Sequence, residues 1–210
     1  MKKLVFGLGS GRCGSASLAY LLSHQESTHA SHELFPILPW KVNTTIMTKK
    51  WTGMDHQSHL FDVVTDSGSY FLPYVPVIFN SWHQHEYAKN RYGLKFICLK
   101  RDKEKTVQSY LNKFRKQNNN PLQNHNDPSI KTNEWDLCFP KYDGISLEEA
   151  ISKYYDEYYS VCDFWESKYS PNFRIFSTET LNSKIGVEAI LNFVGYENPN
   201  IVTGIQKRKH

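Results

Sequence analysis

Leu4-Val5-Phe6-Gly7-Leu8-Gly9-Ser10-Gly11-Arg12-Cys13-Gly14-Ser15-Ala16-Ser17-Leu18-Ala19-Tyr20-Leu21-Leu22 is the stretch whose reading decides the fold. Residues 3–8 form a short apolar run that ends in glycines, as a buried parallel strand does. Beyond the glycines, Ala16, Leu18, Ala19, Leu21 and Leu22 are apolar nearly all round, which predicts a well-covered helix. The segment between them places four glycines in eight residues, Gly7 to Gly14, at a strand-to-helix junction. Glycines let backbone amides come close to an anion, and a helix N-terminus adds partial positive charge. A tight turn without a ligand is the plainer reading, and so dense a run of glycine argues against it.

Outward from this junction, strand and helix signals alternate. Residues 61–65, 95–99 and 173–176 read as further strands. Val107, Tyr110, Leu111 and Phe114 carry helical spacing. Ser146-Leu147-Glu148-Glu149 has the capping-box pattern and opens a helix whose stripe runs through Ala150, Ile151, Tyr154, Tyr158, Val161 and Trp165. Val187, Ile190, Leu191 and Val194 mark a last helix, with Gly195 as its stop. This alternation predicts one α/β domain over residues 1–210, with a central, mostly parallel sheet flanked by helices in three layers. Residues 36–60 and 115–145 do not fit it and are expected to be loops on the ligand side.

Composition narrows the class. The chain has 210 residues, 40% hydrophobic and 14% aromatic content, and a net charge of +4, which supports a real core and argues against disorder. The excess of positive charge is too small to indicate nucleic acid, yet it suits an anionic small ligand. No run approaches the ~18 apolar residues of a membrane span. Glycine ends the first apolar run before it reaches the length of a secretory segment. Cys13, Cys98, Cys138 and Cys162 are scattered without a CxxC pair, as reduced thiols in a cytoplasm would be. The expectation is a cytoplasmic protein with neither membrane span nor nucleic-acid partner.

The identity of the anion turns on single positions. Gly9 to Gly14 satisfies GxxxxG, but Ser15 stands where a nucleotide triphosphatase places the lysine that faces the γ-phosphate. Gly9, Gly11 and Gly14 also satisfy GxGxxG, with Glu33 near the offset of a ribose-binding acid. Thr28–His32 is nevertheless a poor buried strand, and Arg12 would crowd a pyrophosphate. A cation set in an amide-rich loop is better explained as a group facing an oxyanion. A second basic motif, Lys100-Arg101-Asp102, follows the strand at 95–99, with Ser109 on the polar face of the next helix. Arg101 and Ser109 either converge on another phosphate or are ordinary surface residues.

Taken together, these two motifs resemble those of sulfotransferases that use 3′-phosphoadenylyl sulfate (PAPS). Ser10-Gly11-Arg12-Cys13-Gly14-Ser15-Ala16-Ser17-Leu18 resembles their 5′-phosphosulfate loop. Phe96-Ile97-Cys98-Leu99-Lys100-Arg101-Asp102 with Ser109 resembles their 3′-phosphate motif. The stretches 147–158, 173–176, 181–182 and 193–196 are similar to the family's C-terminal half. The resemblance implies a P-loop-like fold and transfer of a sulfuryl group from PAPS to an acceptor hydroxyl or amine, leaving adenosine 3′,5′-bisphosphate (PAP).

The same resemblance implies roles. Arg12, Gly11, Cys13, Gly14, Ser15, Ala16 and Ser17 would hold the 5′-phosphosulfate, with Arg12 stabilising the leaving phosphate. Arg101 and Ser109 would bind the 3′-phosphate. Glu33, at the offset of the family's glutamate after the second strand, would be the general base. His32 is the alternative, and an extended backbone would point its side chain away from Glu33's. Ala16 and Ser17 depart from the family's usual hydroxyl–bulky pair, and Lys103 stands where a proline is common. The tail Lys207-Arg208-Lys209 reads as a frayed terminus. No metal is required.

The acceptor, whether carbohydrate, lipid or small molecule, is not identified. Trp40, Trp51, Tyr70, Tyr74, Trp82 and Trp135 could line its site or fill satellite core. Two other readings stay open: a non-catalytic nucleotide-binding protein of this fold, and a dinucleotide-dependent oxidoreductase.

Overall fold

Alternation of burial along the first strand sets the architecture. In β1 (Lys2–Leu8), Leu4, Phe6 and Leu8 join one buried cluster, whereas Val5 joins another on the opposite face. The same split runs through β4 (Tyr92–Lys100), with Leu94, Phe96 and Cys98 on one side and Ile97 and Leu99 on the other. A strand buried on both faces needs helices on both faces, and the computed structural model, which describes residues 1–116 and 137–204, supplies them.

The sheet has five strands in the order β2-β3-β1-β4-β5, where β2 is Thr28–His32, β3 Val63–Ser67 and β5 Phe173–Ser177. All four pairings are parallel, so the mostly parallel sheet expected from the sequence is wholly parallel. On one face pack α1 (Ser15–Ser23) through Leu18, Leu21 and Leu22, and α7 (Lys184–Val194) through Val187, Ile190 and Leu191. On the other lie α2 (Thr44–Gln57), α3 (Val75–Gln84) and α6 (Leu147–Tyr169), which contribute Met47 and Met54, Val75 and Ile78, and Tyr154, Tyr158 and Cys162. The short α4 (Glu86–Arg91) precedes β4, and α5 (Lys103–Lys116) follows it, resting Val107 and Tyr110 against Ile151 of α6. This is the three-layer α/β fold expected.

Local signals account for the ends. Ser146 accepts from the Glu149 amide at 3.2 Å while Glu149 accepts from the Ser146 amide at 2.9 Å, a complete capping box. Gly195 takes the left-handed conformation (φ 90°) that stops α7.

One expectation is corrected. Residues 36–60 are not simply a loop, because Asn43 caps α2 within them by accepting from the Ile46 amide at 3.1 Å. Thr28–His32, a poor buried strand by its residues, is an edge strand: its position leaves it half exposed, which is why polar residues suffice. The sheet order also separates this chain from the dinucleotide fold, whose order 3-2-1-4-5 puts β2 beside β1. Here β3 stands between them, so Glu33 leaves a strand that is not β1's neighbour. The second expected loop, at 115–145, lies largely outside the described residues, as do Trp135 and the basic tail.

Candidate anion site at the β1–α1 junction

The glycine loop needs its glycines. A Cβ on Gly11 (φ 88°) would stand 2.0 Å from the Tyr110 hydroxyl, and one on Gly9 would stand 2.1 Å from Cys13 Sγ. Both contacts are far inside van der Waals distance, so the loop closes only with glycine at these points. Tyrosines of α6 then hold it in place. The Gly9 amide donates to Tyr158 Oη at 3.0 Å and the Ser10 amide to Tyr159 Oη at 3.4 Å. Tyr110 donates to the Ser10 carbonyl and Thr178 Oγ1 to the Cys13 carbonyl at 2.6 Å.

Beyond the loop, α1 begins at Gly14 without a side-chain cap and with no acidic residue in its first turn. Its first intrahelical bond runs from the Leu18 amide to the Gly14 carbonyl, leaving the amides of Ser15, Ala16 and Ser17 ahead of the helix ladder. An uncapped N-terminus under a glycine loop is suited to an anion.

Arg12 has a left-handed backbone (φ 55°) and is held at both ends. Its Nε donates to Ser109 Oγ at 3.2 Å, and its carbonyl accepts from Arg101 Nη1 at 3.0 Å. Arg12, Arg101 and Ser109 therefore belong to one contiguous site at the ends of β1 and β4. Cys13 contributes only backbone, because its thiol is wholly buried and burial pushes its pKa up to about 12.

Glu33 follows β2 and also has a left-handed backbone (φ 56°), its amide donating to the Ser67 carbonyl at 3.0 Å. That turn overturns the expectation that His32 points away from it: an extended backbone would separate the two side chains, but this one gathers them. His32 Nδ1 lies 3.8 Å from Glu33 Oε2, and His32 Nε2 lies 3.0 Å from Ser15 Oγ at the start of α1. Burial pushes the Glu33 carboxyl up to about 7, with Lys113 and Arg12 drawing it down and Asp66 adding to the rise. Burial also holds the His32 imidazolium below its usual range, which favours the neutral ring.

Several members of this site were not anticipated. Lys113 lies one helical turn beyond Ser109 on the same face of α5, half buried, with its pKa lowered by burial and by Arg12. An i, i+4 reading from Ser109 would have found it. Tyr158, read only as part of the apolar stripe of α6, and its neighbour Tyr159 brace the glycine loop through their hydroxyls. Of the aromatic candidates for an acceptor surface, Tyr70 and Tyr74 are fully buried and Trp40, Trp51 and Trp82 pack against the same core. Among the described residues no cluster of three His, Cys, Asp or Glu could hold a metal ion, and no helix is long and apolar enough to cross a membrane.

No protein-family model matches the sequence, and no curated protein matches it. Similarity appears at the level of structure. A sulfotransferase from Alicyclobacillus acidocaldarius superposes with a TM-score of 0.56 at 12% identity, over 100% of this chain and 87% of that one. The chain has a sulfotransferase-like fold. At that identity the likeness concerns architecture, and the chemistry must be argued from the residues.

Proposed function

We propose that this protein transfers a sulfuryl group from PAPS to an acceptor hydroxyl or amine. The observation that carries the reading is the uncapped N-terminus of α1, with Arg12, Arg101 and Ser109 linked beside it and Glu33 connected to Ser15 through His32. Cations and the amides at the start of α1 suit the two phosphate groups of the donor. A carboxyl titrating near neutrality suits a base.

The residues fit such a donor. When bound, it supplies a sulfuryl group joined to a phosphate able to leave with the bonding electrons. The amides of Gly14–Ser17, the Ser15 and Ser17 hydroxyls and the Arg12 guanidinium hold that 5′-phosphate and the charge it gains as the bond to sulfur breaks. Arg101 and Ser109 bind the 3′-phosphate. Glu33 in its ionised form takes the proton from the acceptor as the new oxygen–sulfur or nitrogen–sulfur bond forms. Neutral His32, bonded to Ser15, lies between the carboxylate and the helix N-terminus.

Calorimetric titration tests the reading. Adenosine 3′,5′-bisphosphate is expected to bind with at least micromolar affinity and NAD not to compete. Binding of NAD in its place, or of neither, contradicts it.

A further inference from the structure

Beneath the turn at Glu33 lies a buried ion pair that the proposed chemistry does not use. Lys50 Nζ of α2 and Asp66 Oδ2 of β3 are 2.7 Å apart, each side chain only 1% exposed. Both groups are bonded by residues 31–36 and by Tyr70. Asp66 Oδ1 accepts from the Leu34 amide at 3.2 Å and from Ser31 Oγ at 2.9 Å, and Oδ2 accepts from the Tyr70 hydroxyl at 3.0 Å. Lys50 donates to the Leu34 carbonyl, to the Pro36 carbonyl at 3.3 Å and to Tyr70 Oη at 3.0 Å. Residue 34 is thus gripped on its amide by the anion and on its carbonyl by the cation.

Such a pair contributes little to stability for its own sake, since well-packed apolar residues commonly do as well in its place. The backbone it grips is where the conformational cost lies. A left-handed glutamate is a strained conformation that persists only where its surroundings hold it. An extended residue there would send the Glu33 side chain to the face opposite His32. We propose that the Lys50–Asp66 pair is the positioning device for Glu33, fixing residue 34 from both sides so that the carboxyl stays beside His32 and the start of α1. The inference rests on the reading of Glu33 as base only for what the turn accomplishes.

The readout is the titration of Glu33 itself. Lys113 from α5, Asp66 from β3, Arg12 from the glycine loop, Lys50 from α2 and His32 from β2 all face this carboxyl, and burial dominates them. In the double variant Lys50→Met/Asp66→Asn both charges leave together and no lone buried charge remains. The side-chain carboxyl of Glu33 is followed by carbon-13 NMR, assigned by its loss in Glu33→Gln. Its midpoint is expected to move from about 7 by at least one unit toward the ordinary 4.5 as the released turn carries it into water. Bisphosphate affinity should stay within twofold. A midpoint held near 7 in the folded variant overturns the proposal.

Wild-type protein gives an independent check that needs no variant. The amide of Leu34, an exposed residue outside every helix and strand, is expected to exchange with deuterium at least a hundredfold more slowly than an unprotected amide. Free exchange there overturns the proposal equally. Failure of the bisphosphate to bind wild-type protein removes the sulfuryl-transfer reading and leaves these two measurements intact.

Discussion

Arg12 Nε donates to Ser109 Oγ at 3.2 Å, a single hydrogen bond between residues 97 positions apart that makes the glycine loop and α5 two walls of one site. The carbonyl of the same arginine is held by Arg101, which places the end of β4 at that wall as well. Under the proposed chemistry, a ligand with one phosphate on the loop and another near α5 would engage all three residues.

Replacing Arg101 should discriminate between ligands. Arg101→Ala is expected to weaken adenosine 3′,5′-bisphosphate by roughly tenfold to a hundredfold, the scale of a lost charge-assisted hydrogen bond. Adenosine 5′-phosphate should change by less than threefold. Equal losses in calorimetric titrations of the two ligands would place Arg101 outside a 3′-phosphate site.

Gly11 should tolerate no side chain. Gly11→Ala forces a Cβ to 2.0 Å from the Tyr110 hydroxyl at a backbone φ of 88°. The expected cost is roughly 1–3 kcal/mol of stability, through a contact that must open and a strained dihedral. Thermal unfolding measures it, and pairing the substitution with Tyr110→Phe should recover only part of the loss because the strain remains.

Glu33 links stability to pH in a direction that can be worked out. Burial raises its folded value to about 7 from an ordinary 4.5, so the ionised form is the disfavoured one. The penalty is absent below about pH 4.5, grows through the interval and is complete above about 7. Glu33→Gln should therefore leave stability unchanged at pH 4 and raise it at pH 8 by on the order of 1–3 kcal/mol. Denaturant titration at the two pH values gives the comparison. In a transfer assay the same carboxyl should produce a rate that climbs with pH to a plateau above about 7, a limb absent from the glutamine variant.

The thiol at the start of α1 should be inert despite its position. Cys13 is wholly buried with its pKa pushed up to about 12, and the other three cysteines are buried as well. Native protein should resist alkylation by iodoacetamide at pH 8, whereas denatured protein should take up four equivalents. A single fast-reacting thiol in the native state would contradict the placement of the loop.

The elements legible in the sequence were those whose apolar residues mark a period without interruption. β1, β4, α6 and α7 fall in this group, the last two aided by Ser146, Glu149 and Gly195 at their ends. Helix α2 was hidden because one of its three buried positions holds Lys50, which breaks the stripe that Met47 and Met54 would otherwise draw. The edge strand β2 gave only a weak signal because Thr28–His32 buries too little to need apolar residues. At the site, the glycine loop and Arg12 stood out by residue type alone. The closeness of His32 to Glu33 did not, because it depends on a left-handed glutamate held in part by contacts from β3 and α2, and neither local propensity nor spacing encodes that. Tyr154 and Tyr158 of α6 counted as apolar in the pattern, although the Tyr158 hydroxyl, with that of Tyr159, holds the loop.

Under the proposed function one doubly phosphorylated adenosine spans the α1 N-terminus and the Arg101–Ser109 corner. Nitrogen-15 NMR of the protein titrated with adenosine 3′,5′-bisphosphate tests it most directly. The largest amide shifts should fall together on Gly14–Ser17 and on Arg101 and Ser109. Shifts confined to one of the two groups, or centred elsewhere on the sheet, would contradict it.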